Sequence, residues 1–263
     1  MARPLIALLT DFGTSDHYVG AMKGVMLTIC PDASLVDISH EIPAHDVLTG
    51  ALELAACYRY FPSGTVFLVV VDPGVGSPRH GLAAEVGDYR FVAPDNGVLT
   101  AVFSETKPKR VVQLTERRYA RATVSRTFEG RDRFAPAAAW LAKGLDCSTL
   151  GRPVAQVHQL DLPVATVSDG LLAGEVVRVD RFGNLVSNVE RRQFEAYRQE
   201  SAIRIEAGGH EVGRVVNTYA EIESDAVAAL FGSTEHLEIA LNGASAAERL
   251  GLKRGATVRI SHV

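Results

Sequence analysis

Along the first hundred residues, short apolar runs alternate with stretches whose apolar positions recur every three to four residues. PLIALLT (4–10) is an apolar run of strand length. From Asp16 to Cys30, Val19, Met22, Met26 and Ile29 fall at helical spacing until Pro31 stops the pattern. SLVDIS (34–39) reads as a second strand, and Val47, Leu48, Ala51, Leu52, Ala55 and Tyr58 then form a helical stripe closed by FPSG. TVFLVVVD (65–72) has no polar alternation, which predicts a strand buried on both faces, as in a parallel sheet covered by helices. RFVAPDNG and VVQLT read as further strands around a short helix over NGVLTAVFSE, and DRFAPAAAWLAK (132–143) as a helix ending at Gly144.

The pattern changes after Gly151. GRPVAQVHQLDLPVATVSDG carries two prolines and no helical stripe, as a linker does. From Leu171 the short runs LAGEVVRVD, NLVSNV, AIRIEAG, VAALFG, HLEIALN and ATVRISHV alternate with turn residues, the signature of an antiparallel sheet or small barrel. The expected fold class is α/β: an N-terminal α/β domain with a mostly parallel sheet (1–155), a linker (156–170) and a C-terminal antiparallel, barrel-like β domain (171–263). No internal repeat or low-complexity segment interrupts this plan.

Composition narrows the function. At 263 residues, 47% hydrophobic and 22% charged, the chain has ordinary globular usage and enough length for a substantial core. A formal net charge of −4 without a basic block gives no electrostatic footprint for nucleic acid. Cys30, Cys57 and Cys147 are scattered and lack metal-ligand spacing, so neither a disulfide framework nor a metal site is expected. The apolar run before Asp11 is too short for a signal peptide or a membrane span, so a cytoplasmic location is the expectation.

Candidate chemistry sits just after the strands, where ligands bind in α/β sheets. In TDFGTSDHYVG (10–20), Asp11 leaves a strand and Asp16 precedes a helix. Asp16 reads either as a helix N-cap or as a carboxylate accepting from the two hydroxyls of a ribose. In VVVDPGVGSPRH (69–80), Asp72, Arg79 and His80 lie on a loop stiffened by Pro73 and Pro78. It reads either as a structural Asp–Arg bridge or as a rigidly held site. Asn96, in the neighbouring PDNG turn, is a further candidate substrate contact. RTFEGRDRFAP (126–136) crowds Glu129, Arg131, Asp132 and Arg133, a charge run that usually marks a solvated face. DRFGNLVSN (180–188) places Asp180, Asn184 and Asn188 around a turn, either a plain hairpin or a set of groups suited to an amino-acid zwitterion.

Together, DFGTSDHYVGAMKG, VDISHEI, VVVDPGVGSPR, APDNGVLT, TFEGRDRFAP, DRFGNLVSN and FGSTEHLEIALNG resemble the S-adenosylmethionine hydroxide adenosyltransferase family, relatives of fluorinase and chlorinase. The resemblance runs from Leu9 to about Gly255. It implies hydrolysis of S-adenosylmethionine to adenosine and methionine, by water or hydroxide attacking the ribose 5′ carbon, with no metal or other cofactor. It also implies a homotrimer with the ligand between neighbouring subunits. By similarity Asp72 and Arg79 orient the water, Asp16 holds the ribose diol, Asp180, Asn184 and Ser233 surround the methionine end, and adenine is met near Asn242 and Gly243. Trp140, on an Ala-rich helix, is expected in the core. A histidine belongs in the TFxGRD turn; this chain has Glu129. Either Glu129 accepts the proton, with Arg79 or Arg131 adjusting it, or His80 approaches from another side. A halide-using relative and a non-catalytic ligand sensor are the alternatives, although the fluorinase-type extension between residues 97 and 110 is missing.

Overall fold

Alternation in the third apolar run explains how the N-terminal unit is built. In the computed structural model, which describes residues 3–263, this run is a strand whose Val66, Leu68 and Val70 join one buried cluster while Phe67 and Val69 join another. Both faces are covered, so no polar position interrupts the run. The sheet comprises β1 (Leu5–Thr10), β2 (Ser34–Ser39), β3 (Val66–Val70), β4 (Gly81–Val86), β5 (Tyr89–Pro94), β6 (Arg110–Leu114) and β7 (Gly151–Pro153), in the order β2-β1-β3-β5-β4-β6-β7. Pairing is parallel from β2 to β5 and antiparallel from β5 to β7. Helices α1 (Tyr18–Ile29) and α4 (Ala135–Ala142) cover one face, and α2 (Val47–Cys57) and α3 (Thr100–Glu105) the other. Asp46 caps α2, its carboxylate accepting from Thr49 N–H at 3.1 Å.

Phe67 stacks on Phe91 and meets Tyr58, Phe61 and Tyr89 edge-on, with no solvent exposure. Phe67→Ala is expected to destabilise the N-terminal unit by about 3–5 kcal/mol, read from urea unfolding. A loss below about 1 kcal/mol would show that this cluster does not organise the core.

The C-terminal unit begins at Pro163. Its strands are β8 (Thr166–Ser168), β9 (Leu171–Val179), β10 (Leu185–Glu190), β11 (Ile203–Ala207), β12 (His210–Val212), β13 (Val227–Phe231), β14 (His236–Leu241) and β15 (Thr257–His262). The antiparallel order is β12-β11-β15-β9-β10-β14-β13, with β8 on β9. The chain beyond β12 then pairs with β13: Val216 N–H donates to Ala229 O at 2.8 Å, and Ala229 N–H donates to Arg214 O at 3.2 Å. The two edges thereby meet and the sheet closes around its core. The expected fold class is the one found.

The structure departs from the sequence reading in several places. The prolines and missing helical stripe of 151–169 hide a strand at each end, β7 and β8, because three-residue strands leave no period to read. Strand β4 is likewise without a sequence signal, its small residues GLAAEV carrying no β-branched residue before the final Val86. Helix α5 (Arg191–Arg198) buries only Phe194, so no stripe betrays it. Helix α6 (Ala246–Leu250) is announced by Ser245 and Glu248, a Ser-x-x-Glu capping pattern in which Ser245 Oγ accepts from Glu248 N–H at 3.1 Å. The helix expected over 132–143 is wider in its first turn, a π-helical segment at Gly130–Phe134 preceding α4. Burial pushes the Cys57 thiol up to about 11 and the Cys147 thiol to about 12, so both stay protonated near neutral pH.

Candidate active site

Beyond β3 the chain enters the Asp72–Arg79 loop at the carboxyl end of the sheet. Arg79 Nε donates to Asp72 Oδ1 at 2.9 Å, and Arg79 Nη2 donates to Asp72 Oδ2, a two-pronged ion pair. The same Nη2 lies 2.6 Å from Glu129 Oε2. The guanidinium packs 5.3 Å over the Phe134 ring. Asp72 and Glu129 are both buried, with only 9% and 8% of their surface exposed. Burial lowers the Arg79 pKa, and the two carboxylates more than reverse this, so it ends raised and the guanidinium stays charged.

The loop's rigidity has a local cause. Gly76 adopts φ +79°, and a Cβ there would stand 2.7 Å from Arg126 O. Arg126 Nη2 in turn donates to Gly76 O at 3.2 Å. The Asp72–Arg79 loop is thus docked against the turn that carries Glu129. Asn96 steadies the other side: its Nδ2 donates to Val71 O at 2.8 Å and its Oδ1 accepts from Val98 N–H at 3.2 Å. Its amide therefore holds the backbone next to Asp72.

The charge run at 126–136 is not the solvated face its composition implies. Asp132 has no exposed surface and accepts from Arg131 at 2.7 and 2.8 Å and from Ser125 N–H at 2.8 Å. Burial raises its pKa, but these bonds outweigh burial and hold the carboxyl below its usual 3.8. A lowered carboxylate contributes stability above pH 3.8 that disappears as pH falls through the folded value. Asp132→Asn is therefore expected to flatten the loss of stability on acidification below about pH 4, measured by thermal melts across pH; an unchanged acid limb would refute this. Arg131 is committed to Asp132. The cation beside Glu129, besides Arg79, is Arg133, with Nη2 3.4 Å from Glu129 Oε1, a neighbour visible in the i,i+4 spacing. His80 pairs with Asp95 at 3.9 Å instead of joining the cluster.

Between β1 and α1, Asp11 accepts from His45 N–H at 2.8 Å, while Asp16 is exposed and has no side-chain partner among the described residues. The N-cap of α1 is His17, without a capping side chain, so Asp16 does not serve as the cap. In the C-terminal unit, Asp180 Oδ1 accepts from Phe182 N–H at 2.9 Å and Asn184 N–H at 2.8 Å, and Oδ2 accepts from Asn184 Nδ2 at 2.8 Å. Gly183 closes the turn at φ +84°. Asn188, the third polar group of that motif, accepts from Glu175 N–H at 2.8 Å, a strand-to-strand tie. Ser233 is exposed with no side-chain partner among the described residues, and Asn242 Nδ2 donates to Ile222 O at 3.3 Å. Two aromatics were not legible as candidates: Phe182, 78% exposed at the turn tip, and Tyr219, 40% exposed, whose hydroxyl donates to the buried Glu238 at 2.7 Å. Trp140 is half-buried at the edge of α4 against Tyr119 and Lys143, not in the core.

With this geometry in place, residues 6–151 match the SAM hydroxide adenosyltransferase N-terminal domain and residues 174–259 the C-terminal domain of the same family. The chain belongs to the SAM hydroxide adenosyltransferase family. It is 38% identical to an (R)-S-adenosyl-L-methionine hydrolase of Thermus thermophilus over 97% of this chain and 98% of the relative. A similar relative from Salinispora tropica, of the same name, is 36% identical over 98% of both chains. A fluorinase of Actinoplanes is 29% identical over 98% of this chain and 97% of its own. A Thermotoga maritima crystal structure superposes with a TM-score of 0.91 at 35% identity, covering 98% of this chain and all of the other. Among the described residues of this SAM hydroxide adenosyltransferase family member, no three His, Cys, Asp or Glu gather to hold a metal, and no helix is long and apolar enough to cross a membrane.

Proposed function

We propose that this chain hydrolyses S-adenosyl-L-methionine to adenosine and L-methionine, with Asp72, Arg79 and Glu129 activating the attacking water. The observation that carries this assignment is Arg79 Nη1, a buried donor without a hydrogen-bond partner among the described residues, on a guanidinium whose Nη2 meets Glu129 Oε2 at 2.6 Å. Buried polar groups almost always find partners, and one water at Nη1 answers that need beside the Glu129 carboxylate. Asp72 fixes the arginine, Arg79 Nη1 holds the water oxygen, and Glu129 accepts a proton.

The oxygen bonds to C5′ as the C5′–S bond breaks. The bonding pair stays on sulfur as the methionine thioether, and the water proton passes to Glu129. The sulfonium is already a good neutral leaving group, so neither acid assistance nor a metal is required on that side. Positioning contributes about 7–11 kcal/mol where geometry is right, and a placed base about a further hundredfold or more. Asp16, exposed and without a side-chain partner among the described residues, takes the ribose diol. Asp11 and Asn96 act through the backbone they hold. Asp180, Asn184 and Ser233 meet the methionine end, and Asn242 lies towards adenine, for which Phe182 and Tyr219 offer exposed ring faces. The working assembly is a cytoplasmic homotrimer with substrate between neighbouring subunits, to be checked by sedimentation.

Incubation with S-adenosylmethionine is expected to yield adenosine, unaffected by EDTA; ligand bound yet intact after hours would make the protein a sensor instead. The fluorinase relatives raise a second chemistry. Two carboxylates beside the nucleophile disfavour an anion there, so chloride or fluoride is expected to give no 5′-halo nucleoside, and its appearance would overturn the hydrolase assignment. Phe182→Ala is expected to raise KM about tenfold, a loss near 1.4 kcal/mol, with kcat little changed; an unaltered KM would remove Phe182 from the site.

A further inference from the structure

A second polar chain lies beneath the loop that presents Asp16. Thr10, the last residue of β1, is fully buried, and its Oγ1 lies 2.8 Å from Nδ1 of the buried His40. His40 Nε2 stands 3.0 Å from Asp37 Oδ1, and Asp37 Oδ2 accepts from Lys23 Nζ at 2.6 Å. Thr–His–Asp is the order of a nucleophilic relay, but here the hydroxyl has no solvent access and also accepts from Phe12 N–H at 3.3 Å. It is not placed to attack a substrate.

One end of this chain, and the segment that carries it, hold the 10–16 loop. His40 O accepts from Gly13 N–H at 2.7 Å, where the backbone turns through φ +65°. Thr14 Oγ1 donates to Glu41 Oε1 at 3.4 Å, and Asp11 accepts from His45 N–H. The loop thus rests on the segment after β2, with His40 gripping it by side chain and backbone together. Asp16, at the loop's end, makes no side-chain bond of its own among the described residues. Its aim is set by what holds the loop.

The structure assigns Thr10, His40 and Asp37 as positioning residues that fix the ribose-binding loop through a relay buried at Thr10 and His40 and anchored on Lys23. With the ring proton of His40 on Nε2, facing Asp37, the Thr10 hydroxyl donates to Nδ1 while accepting from Phe12, so both of its hydrogen-bonding roles are filled. Valine at position 10 keeps the shape and removes both. The assignment rests on the hydrolase reading for its substrate and on the fold alone for its mechanical part.

The test compares Thr10→Val, Thr10→Ser and Asp37→Asn by steady-state kinetics with S-adenosylmethionine and by amide hydrogen exchange over residues 11–16 of the free protein. Thr10→Val is expected to raise KM at least tenfold with kcat within threefold, and to speed exchange of the loop at least tenfold. Thr10→Ser is expected to restore both. Asp37→Asn, at a half-exposed position, is expected to move both in the same direction by a smaller factor, and it carries the test if Thr10→Val does not fold. Unchanged loop exchange in the folded variants, or a fall in kcat at constant KM, would overturn the assignment. Exchange needs no turnover, so wild-type protein that leaves S-adenosylmethionine intact would sink the hydrolase reading while this result still decided the role of the relay.

Discussion

Asp72→Ala is expected to lower kcat by at least a thousandfold while the dissociation constant for S-adenosylmethionine stays within tenfold, a change of about 1.4 kcal/mol or less. The asymmetry follows from the geometry. Asp72 occupies two of the three guanidinium nitrogens of Arg79, so its removal lets the guanidinium turn towards Glu129 and takes Nη1 from its place. In the proposed function, the ground-state contacts with ribose, adenine and methionine do not involve that atom. Removing one partner of a buried ion pair usually costs about 3–5 kcal/mol because the other charge is stranded. Here Glu129 remains 2.6 Å from Arg79 to compensate, so the variant is expected to stay folded by circular dichroism. A folded Asp72→Ala protein with wild-type turnover would reduce the Asp72–Arg79 pair to a structural bridge.

The second large effect is expected at Glu129. Glu129→Gln keeps the size and removes the proton acceptor, and the expected loss in kcat is about a hundredfold to ten-thousandfold. Glu129→His supplies the residue the family resemblance leads one to expect in this turn, and it is expected to recover a substantial part of the glutamine variant's loss. Single-turnover measurements of adenosine release separate chemistry from product release in both. Equal rates for Glu129→Gln and wild type would show that the water loses its proton elsewhere, with Asp72 the remaining buried carboxylate of the cluster.

Much of this was legible in the residues, unevenly. The uninterrupted run TVFLVVVD announced a doubly covered strand because burial on both faces removes the polar alternation a one-sided strand must show. The loop after it advertised its rigidity through two prolines and its glycines. Strands β4, β7 and β8 were silent, since small residues and three-residue lengths carry neither period nor propensity. The inward turn of Asp132 and Glu129 was equally hidden. Charge runs are normally solvated, and these carboxylates are tolerable inside because Arg131 and Arg133 beside them in sequence and Arg79 from the preceding loop pair with them. His40 had no readable signal either, because its partner Thr10 lies thirty residues earlier, at the end of β1.

The wide helical turn at Gly130–Phe134 constrains how this lineage can vary in length. Deleting one residue there would tighten the turn to ordinary α geometry and swing everything upstream by about 100° around the axis of α4. Residue 129 would then leave the reach of Arg79 whatever its side chain. The chemical group at that site can be exchanged far more easily than a single-residue gap beside it can be tolerated.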